Sequence, residues 1–318
     1  MKTEKNVAHY DLIKQQNKKV IRNLLRYENS LTVSQIAKQT GLTYPTCAGN
    51  LKELWEEEQV KREAEAESTG GRPGVVYQLN EAYKYGANLY FEEWTLQAVV
   101  YDYRGRRCDS LQWSVKSEIT VGNLVDIVQE MKKKYEHLDS VAIGIPGVTK
   151  DGEIFFLPKF PQLVRAGLKQ AIEERVQVNV FLENDLNAMA YAKAEERKNF
   201  AMIAYINQCV GSGIVLDGKL HVGSHGYAGE LEGICTDVTN KIQTLEECIF
   251  TFMCVLDLPE FWIMGDECNE ELLEKVRERL KKRISEDRMP QLRVADDLKE
   301  CYERGLLRGI MEKWEKEM

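Results

Sequence analysis

The chain has 318 residues, 43 Lys/Arg against 51 Asp/Glu for a formal net charge of −8, and 43% hydrophobic residues. That size and apolar content suit two globular domains and exclude a disordered chain. No uncharged apolar run of membrane-spanning length occurs, and no apolar stretch follows the charged start MKTEKNVAHYDLIKQQNKK, so a cytoplasmic protein without a membrane span or signal peptide is expected.

The charge is uneven. Residues 1–52 carry nine Lys/Arg against three Asp/Glu, a local +6, whereas residues 81–318 carry 31 against 41, a net −10. A basic front on an acidic body predicts a DNA-binding module joined to something else. In the front, residues 17–26 (NKKVIRNLLR) place Val20, Ile21, Leu24 and Leu25 on one face at helical spacing, which predicts a first helix. Thr32 then stands as cap to a short helix carrying Ile36 and Ala37, and Gly41 supplies the tight turn after it. Thr43 caps a further helix with Pro45 in its first turn, where a missing N–H is harmless. Helix, glycine turn, capped helix is the helix-turn-helix pattern. Residues 60–79 (VKREAEAESTGGRPGVVYQL) predict a charged segment, a turn and a strand, hence a β-wing.

A winged helix-turn-helix over residues 1–80 follows, with double-stranded DNA as its partner. Thr43, Tyr44, Thr46 and Asn50 are expected near base edges or backbone, and Lys18, Lys19, Lys38 and Lys52 on phosphates. Gly49 is costly inside a helix, and close packing against another helix or DNA would explain it. Arg72, between Gly71 and Pro73, is either an arginine delivered to a narrow minor groove or part of a plain inter-domain turn. The glutamates from Glu56 to Glu67 read as a solvated face.

From Tyr85 the character changes. Residues 89–106 read as two strands around a turn, 121–137 as an amphipathic helix, 140–148 as a buried strand ending in Pro146-Gly147, 178–185 as another strand and 185–196 as a helix. Residues 200–207 and 213–222 look like a hairpin pair with Asp217-Gly218 in the turn. Strands alternating with helices indicate an α/β body, and the hairpins argue against a plain doubly wound sheet. The eight cysteines (47, 108, 209, 235, 248, 254, 268, 301) are scattered with no C-x-x-C pair, which predicts reduced thiols and no metal site.

The combination of a front helix-turn-helix, GGRP, IGIPG (143–147), END-x-NA (183–188), GSHGYAGE (223–230), LDLPEFWIMG (256–265) and GLLRG (305–309) resembles the ROK family of sugar kinases and sugar-responsive repressors. The resemblance implies a two-lobed, actin-like (ribonuclease H-like) ATPase fold over residues 81–318. Its small lobe would cover about 84–183 plus the C-terminal helix, and its large lobe about 184–302.

Several parts of the family's chemistry are missing. Where the family has a D-x-G-G-T phosphate loop twelve residues before the aspartate matching Asp102, this chain has Tyr90, Glu92, Glu93 and Trp94. Two carboxylates there would repel a triphosphate and fill the space glycine leaves open. The second phosphate loop keeps its latter half, Gly211-Ser212-Gly213, and Asp266 follows Gly265 where a second glycine is usual. Gly233 replaces a histidine that serves both zinc and sugar, and the segment from Glu230 to Leu258 is short, so neither a structural zinc nor a cofactor is expected.

The sugar-facing positions survive better. By resemblance, Asp185 matches the base toward a sugar hydroxyl, and Asn184 and Glu230 match its sugar-binding neighbours. Glu246 in TLEE matches a further sugar-binding glutamate, and Lys159 stands where Pro-Asn would present an amide. Lys159 would suit a phosphorylated or acidic sugar, or is a surface lysine; Asp185 also reads as a cap of the helix that follows. The sequence therefore predicts a non-catalytic, sugar-sensing DNA-binding regulator, commonly a repressor in this family, acting as a homodimer or dimer of dimers. The alternatives are an active sugar kinase and a regulator that has lost its effector.

Overall fold

The computed structural model describes residues 2–64, 75–116, 118–194, 196–235, 238–295 and 297–316. The front begins with α1 (Lys2–Tyr27), which starts well before the apolar stripe predicted at 17–26. It continues through β1 (Leu31–Thr32), α2 (Val33–Thr40), α3 (Tyr44–Glu56), β2 (Val60–Ala64) and β3 (Val75–Leu79). The three strands form an antiparallel sheet in the order β1-β3-β2. Arg72 and the turn around it lie outside the described residues.

The caps fall where side-chain chemistry puts them. Thr32 and Gln35 make a reciprocal capping box on α2, and Gly41 closes that helix in the left-handed region at φ 75°. Thr43 caps α3 by accepting the backbone N–H of Thr46. Ile21, Leu25, Ile36, Cys47, Leu51 and Leu54, all with no exposed surface, fill the space between the three helices.

The body continues with β4 (Tyr85–Glu92), β5 (Thr95–Tyr101), β6 (Arg107–Ser114), α4 (Val121–Lys134), β7 (Leu138–Ile145), β8 (Val148–Lys150), β9 (Glu153–Phe156), α5 (Leu168–Val176), β10 (Asn179–Asn184) and α6 (Asp185–Lys193). Five of these strands form one sheet in the order β10-β7-β4-β5-β6, antiparallel across β4, β5 and β6 and parallel where β7 joins β4 and β10. The chain goes on as β11 (Phe200–Ile206), β12 (Cys209–Leu216), β13 (Lys219–Leu220), α7 (Lys241–Leu256), β14 (Glu260–Gly265), α8 (Glu270–Leu280), β15 (Gln291–Val294) and α9 (Leu298–Lys316). A second sheet runs β13-β12-β11-β14-β15.

The hairpin expectation needs one correction. Asp217-Gly218 joins β12 to β13, while the β11–β12 connection is Asn207-Gln208. Both pairs have positive φ, the backbone that a two-residue hairpin turn requires.

Each sheet has its own apolar core, one shared with α4 and α5 and the other with α7 and α8. A third cluster runs from the front helices through Tyr103 and Trp314 to α6 and α9. Front and body therefore share buried apolar surface.

Candidate functional site

Two regions carry the residues singled out by sequence. The first is the outer side of α2 and α3. Lys38, Thr43, Tyr44, Gly49 and Lys52 are exposed there, Tyr44 by 55%. Lys52 has Glu56 at 3.7 Å one turn on, a spacing worth little in water. Thr46 is half-buried, its hydroxyl 2.8 Å from that of Thr43. Gly49 has open space where a Cβ would stand, so among the described residues no other helix packs against it.

Three of the expected contacts need correction. Asn50 is buried and donates its amide to the Thr46 carbonyl at 2.8 Å, since its position on α3 turns it toward α1. Lys18 is buried as well, held between Glu53 at 3.0 Å and Glu57 at 2.5 Å, so its charge is spent inside the module. Lys19, half exposed, pairs with Glu315 of α9 at 2.7 Å. Sequence reasoning missed Trp55 and Arg62: the guanidinium lies 3.6 Å from the indole centroid, joining α3 to β2 beside the exposed face.

The second region lies where β10 runs into α6. Asn184 is the cap of α6, its Oδ1 accepting from the Asn187 N–H at 2.9 Å and its Nδ2 donating to the Gly147 carbonyl at 2.9 Å. Asn184, rather than Asp185, caps this helix, and both ends of its amide are used within the protein. Asp185 is the first helical residue, with Oδ1 accepting from the Leu186 N–H at 2.8 Å. Burial raises its pKa to about 6, and the nearby charge of Glu230 pushes in the same direction. Glu230 is itself raised, by burial and then by Glu232. The fold thus brings together the two carboxylates that sequence placed 45 positions apart.

Glu230 arrives at the end of a loop laid against the opposite strands. Gly226 presses on the Thr149 carbonyl of β8, and the Lys150 ammonium donates to the Ser224 carbonyl. The two carboxylates therefore come together where the end of β10 meets a loop held against β8.

Glu246 and Lys159 are elsewhere engaged. Glu246 is buried on α7 with its carboxylate between Arg279 and Arg283, the latter at 3.4 Å. Its partners are Arg279 of α8 and Arg283 just after that helix, so its carboxylate is engaged there, where the sequence match expects a sugar-binding glutamate. Lys159 donates to the Glu93 carbonyl and lies 4.3 Å from the Trp94 ring centroid.

That turn is the one that the sequence resemblance matches to the family's first phosphate loop. Glu93 and Trp94 form the tight β4–β5 connection, Glu93 at φ 54°, and Glu92 faces Lys299 at 3.4 Å. Beneath them Tyr90 is buried, its hydroxyl donating to Glu303 at 2.7 Å and its ring 5.2 Å from that of Tyr302. Tyr302 reaches across from α9; its hydroxyl would lie 2.0 Å from a Cβ placed on Gly144 of β7. That hydroxyl is buried without a hydrogen-bond partner among the described residues, and burial together with the charges of Asp185 and Glu183 drives its pKa upward. The other remnants have structural employment. A Cβ on Gly213 would strike the Leu186 carbonyl at 2.3 Å, so this glycine serves the approach of α6 to β12. Asp266 accepts from the Asn207 N–H at 2.6 Å, which ties the end of β14 to the β11–β12 turn.

Residues 95–248 match the ROK family. That match covers just under half of the chain. Among curated relatives, the xylose repressor of Bacillus subtilis (strain 168) is 24% identical over 244 residues, 73% of this chain and 63% of that protein. The DNA-binding transcriptional dual regulator NagC of Escherichia coli (strain K12) is 22% identical over 240 residues, 71% of this chain and 58% of its own length. This chain thus spans about three fifths of the curated relatives it matches. Among solved structures, a ROK family transcriptional regulator, a homolog of the E. coli MLC protein, superposes with a TM-score of 0.72 at 17% identity, covering 96% of this chain and 100% of that one. The ROK hexokinase from Thermus thermophilus gives 0.58 at 17% identity, covering 72% of this chain and 99% of that one. The body accordingly has the actin-like fold of the ROK domain. Among the described residues, no helix is long and apolar enough to cross a membrane.

Proposed function

We propose that the protein is a DNA-binding transcriptional regulator of the repressor kind, whose ROK domain senses a sugar or sugar phosphate and no longer phosphorylates it. Residues 1–80 are read as a winged helix-turn-helix, with α3 as the helix that enters the major groove and residues 81–318 as the sensing unit. The observation that carries the reading is the pairing of two features in one chain. An exposed, small and polar α3 face stands at the front, and by the resemblance Tyr90 and the Glu92-Glu93 turn, with Tyr302 packed on Tyr90, stand where a kinase of the family would hold ATP phosphates. The named roles of the xylose repressor and of NagC support it.

Asp185 and Glu230 are the residues assigned to the effector. Carboxylates accept several hydroxyl hydrogen bonds, so they recognise a sugar without reacting with it. Two symmetric half-sites on DNA would call for paired modules, which makes a homo-oligomer part of the proposal. The test is electrophoretic mobility of DNA from upstream of the gene: specific binding at moderate salt is expected, and its absence would sink the reading. A thermal-shift screen with sugars and sugar phosphates then finds the effector, because a ligand of the native state raises the midpoint. Loss of that rise in Asp185→Ala places the site; a rise that persists moves it elsewhere.

One observation favours an active kinase instead. A pKa near 6 at the family's base position suits a general base working at neutral pH. Measurable ATP turnover on a panel of hexoses would establish that alternative, against the weight of Tyr90 and the two glutamates.

A further inference from the structure

A crevice of about 610 Å³ lies between α1 and α9, apart from Asp185 and Glu230. Five cations line it, namely Lys19 and Arg26 from α1 and Arg304, Arg308 and Lys316 from α9, against two carboxylates, Glu312 and Glu315. Each carboxylate is shared. Glu315 meets Lys19 at 2.7 Å and Arg26 at 3.5 Å, and Glu312 meets Arg308 at 3.3 Å and Lys316 at 3.8 Å. Arg304 reaches outward to the exposed Glu196 at 3.7 Å. Arg26 is nine-tenths buried, and its Nε has no hydrogen-bond partner among the described residues.

We propose that this crevice binds a small phosphomonoester. A phosphate dianion offers several acceptor oxygens that match the fork of a guanidinium; in Arg26 one terminal nitrogen meets Glu315 at 3.5 Å and Asn23 at 3.3 Å, which leaves Nε without a partner among the described residues. The volume falls in the range of small-molecule sites and leaves room for a short polar tail beyond the phosphate. Binding would draw Arg26 and Lys19 away from Glu315, the ion pairs that tie the front module to the last helix. The site itself stands on these residues alone; its consequence for DNA rests on the regulator reading.

Isothermal titration of the full chain with glycerol 3-phosphate tests it, with glycerol and potassium chloride at matched ionic strength as controls. Because Arg26→Gln would disturb a buried contact, the variant of choice is R304Q/K316Q, two side chains that are 48% and 76% exposed. Saturable binding is expected in the wild type, weakened about tenfold or more in R304Q/K316Q and unchanged in Asp185→Ala. Heats equal to those of chloride, or equal affinity in R304Q/K316Q, overturn the proposal. Loss in Asp185→Ala overturns it too, by assigning the phosphate to the cleft. The assay contains no DNA, so phosphate binding with no mobility shift would count against the regulator reading alone.

Discussion

At the scale of single residues, Asp185 sets a pH dependence whose sign is fixed by its raised pKa. The folded chain keeps that proton up to about pH 6, whereas an unfolded chain releases it near pH 4, around 3.9 for a free aspartate. Between those values the folded state binds more protons, so stability falls as pH rises. Asp185→Asn removes the slope: its urea midpoint should exceed the wild type at pH 7.5, with the gap closing below about pH 4. An equal gap at both pH values would show that the carboxyl titrates normally. The lysines of the front divide in the same concrete way. Lys38 and Lys52 are exposed and Lys18 is clamped by Glu53 and Glu57. Each of Lys38→Ala and Lys52→Ala should reduce the slope of log affinity against log salt by about 1. Lys18→Ala should leave that slope alone and lower the unfolding midpoint. A reduced slope in Lys18→Ala would return it to the DNA face.

At the scale of elements, two glycines on helices have opposite surroundings, and substitution separates them. Gly49 on α3 has nothing within 4 Å of a Cβ, whereas on α9 a Cβ at Gly305 would come 1.7 Å from the Ala188 carbonyl of α6. Gly49→Ala should therefore gain about 0.5–1 kcal/mol from helix propensity, and Gly305→Ala should lose stability because backbone has to move. Chemical unfolding measures both, and a loss in Gly49→Ala would mean that its setting is misread. If α3 enters DNA, the stabilised Gly49→Ala should bind operator more weakly. The elements themselves were largely legible, because their causes are local: Thr32 and Thr43 as caps, Gly41 as the left-handed stop, apolar periodicity in α4. Site membership was less legible, since it depends on partners remote in sequence. Glu246 is claimed by Arg279 and Arg283, and Lys18 by Glu53 and Glu57, pairings that no spacing rule announces. The same remoteness hid the Tyr90–Tyr302 contact, whose rings come from opposite ends of the body.

At the scale of the whole molecule, α9 joins the two regions. From Tyr302, beside Asp185, to Glu315, beside α1, it covers about 20 Å at the ordinary helical rise. Trp314 near its end has no exposed surface, lies 5.5 Å from Tyr103 and donates to Asp139 at 2.8 Å. The neighbouring residue Arg104 donates to the carbonyls of Arg26 at 3.3 Å and Glu28 at 2.8 Å, satisfying acceptors that the end of α1 leaves open. Under the proposed function, a ligand at Asp185 would alter DNA binding only through contacts that differ between two states, and the contacts at the join are the ones proposed to carry it. Arg104→Gln should accordingly speed amide exchange over residues 22–29 while β11 to β14 keep their protection, since local opening follows the bonds removed. Faster exchange spread evenly over the chain would mean that Arg104 supports general stability and not the join. In the same variant, operator affinity without effector should stay within about threefold of wild type, because the α3 face is untouched. The change in affinity on adding the effector should shrink, as coupling is a free energy carried by the join. An undiminished effector response in Arg104→Gln would place the coupling on another path.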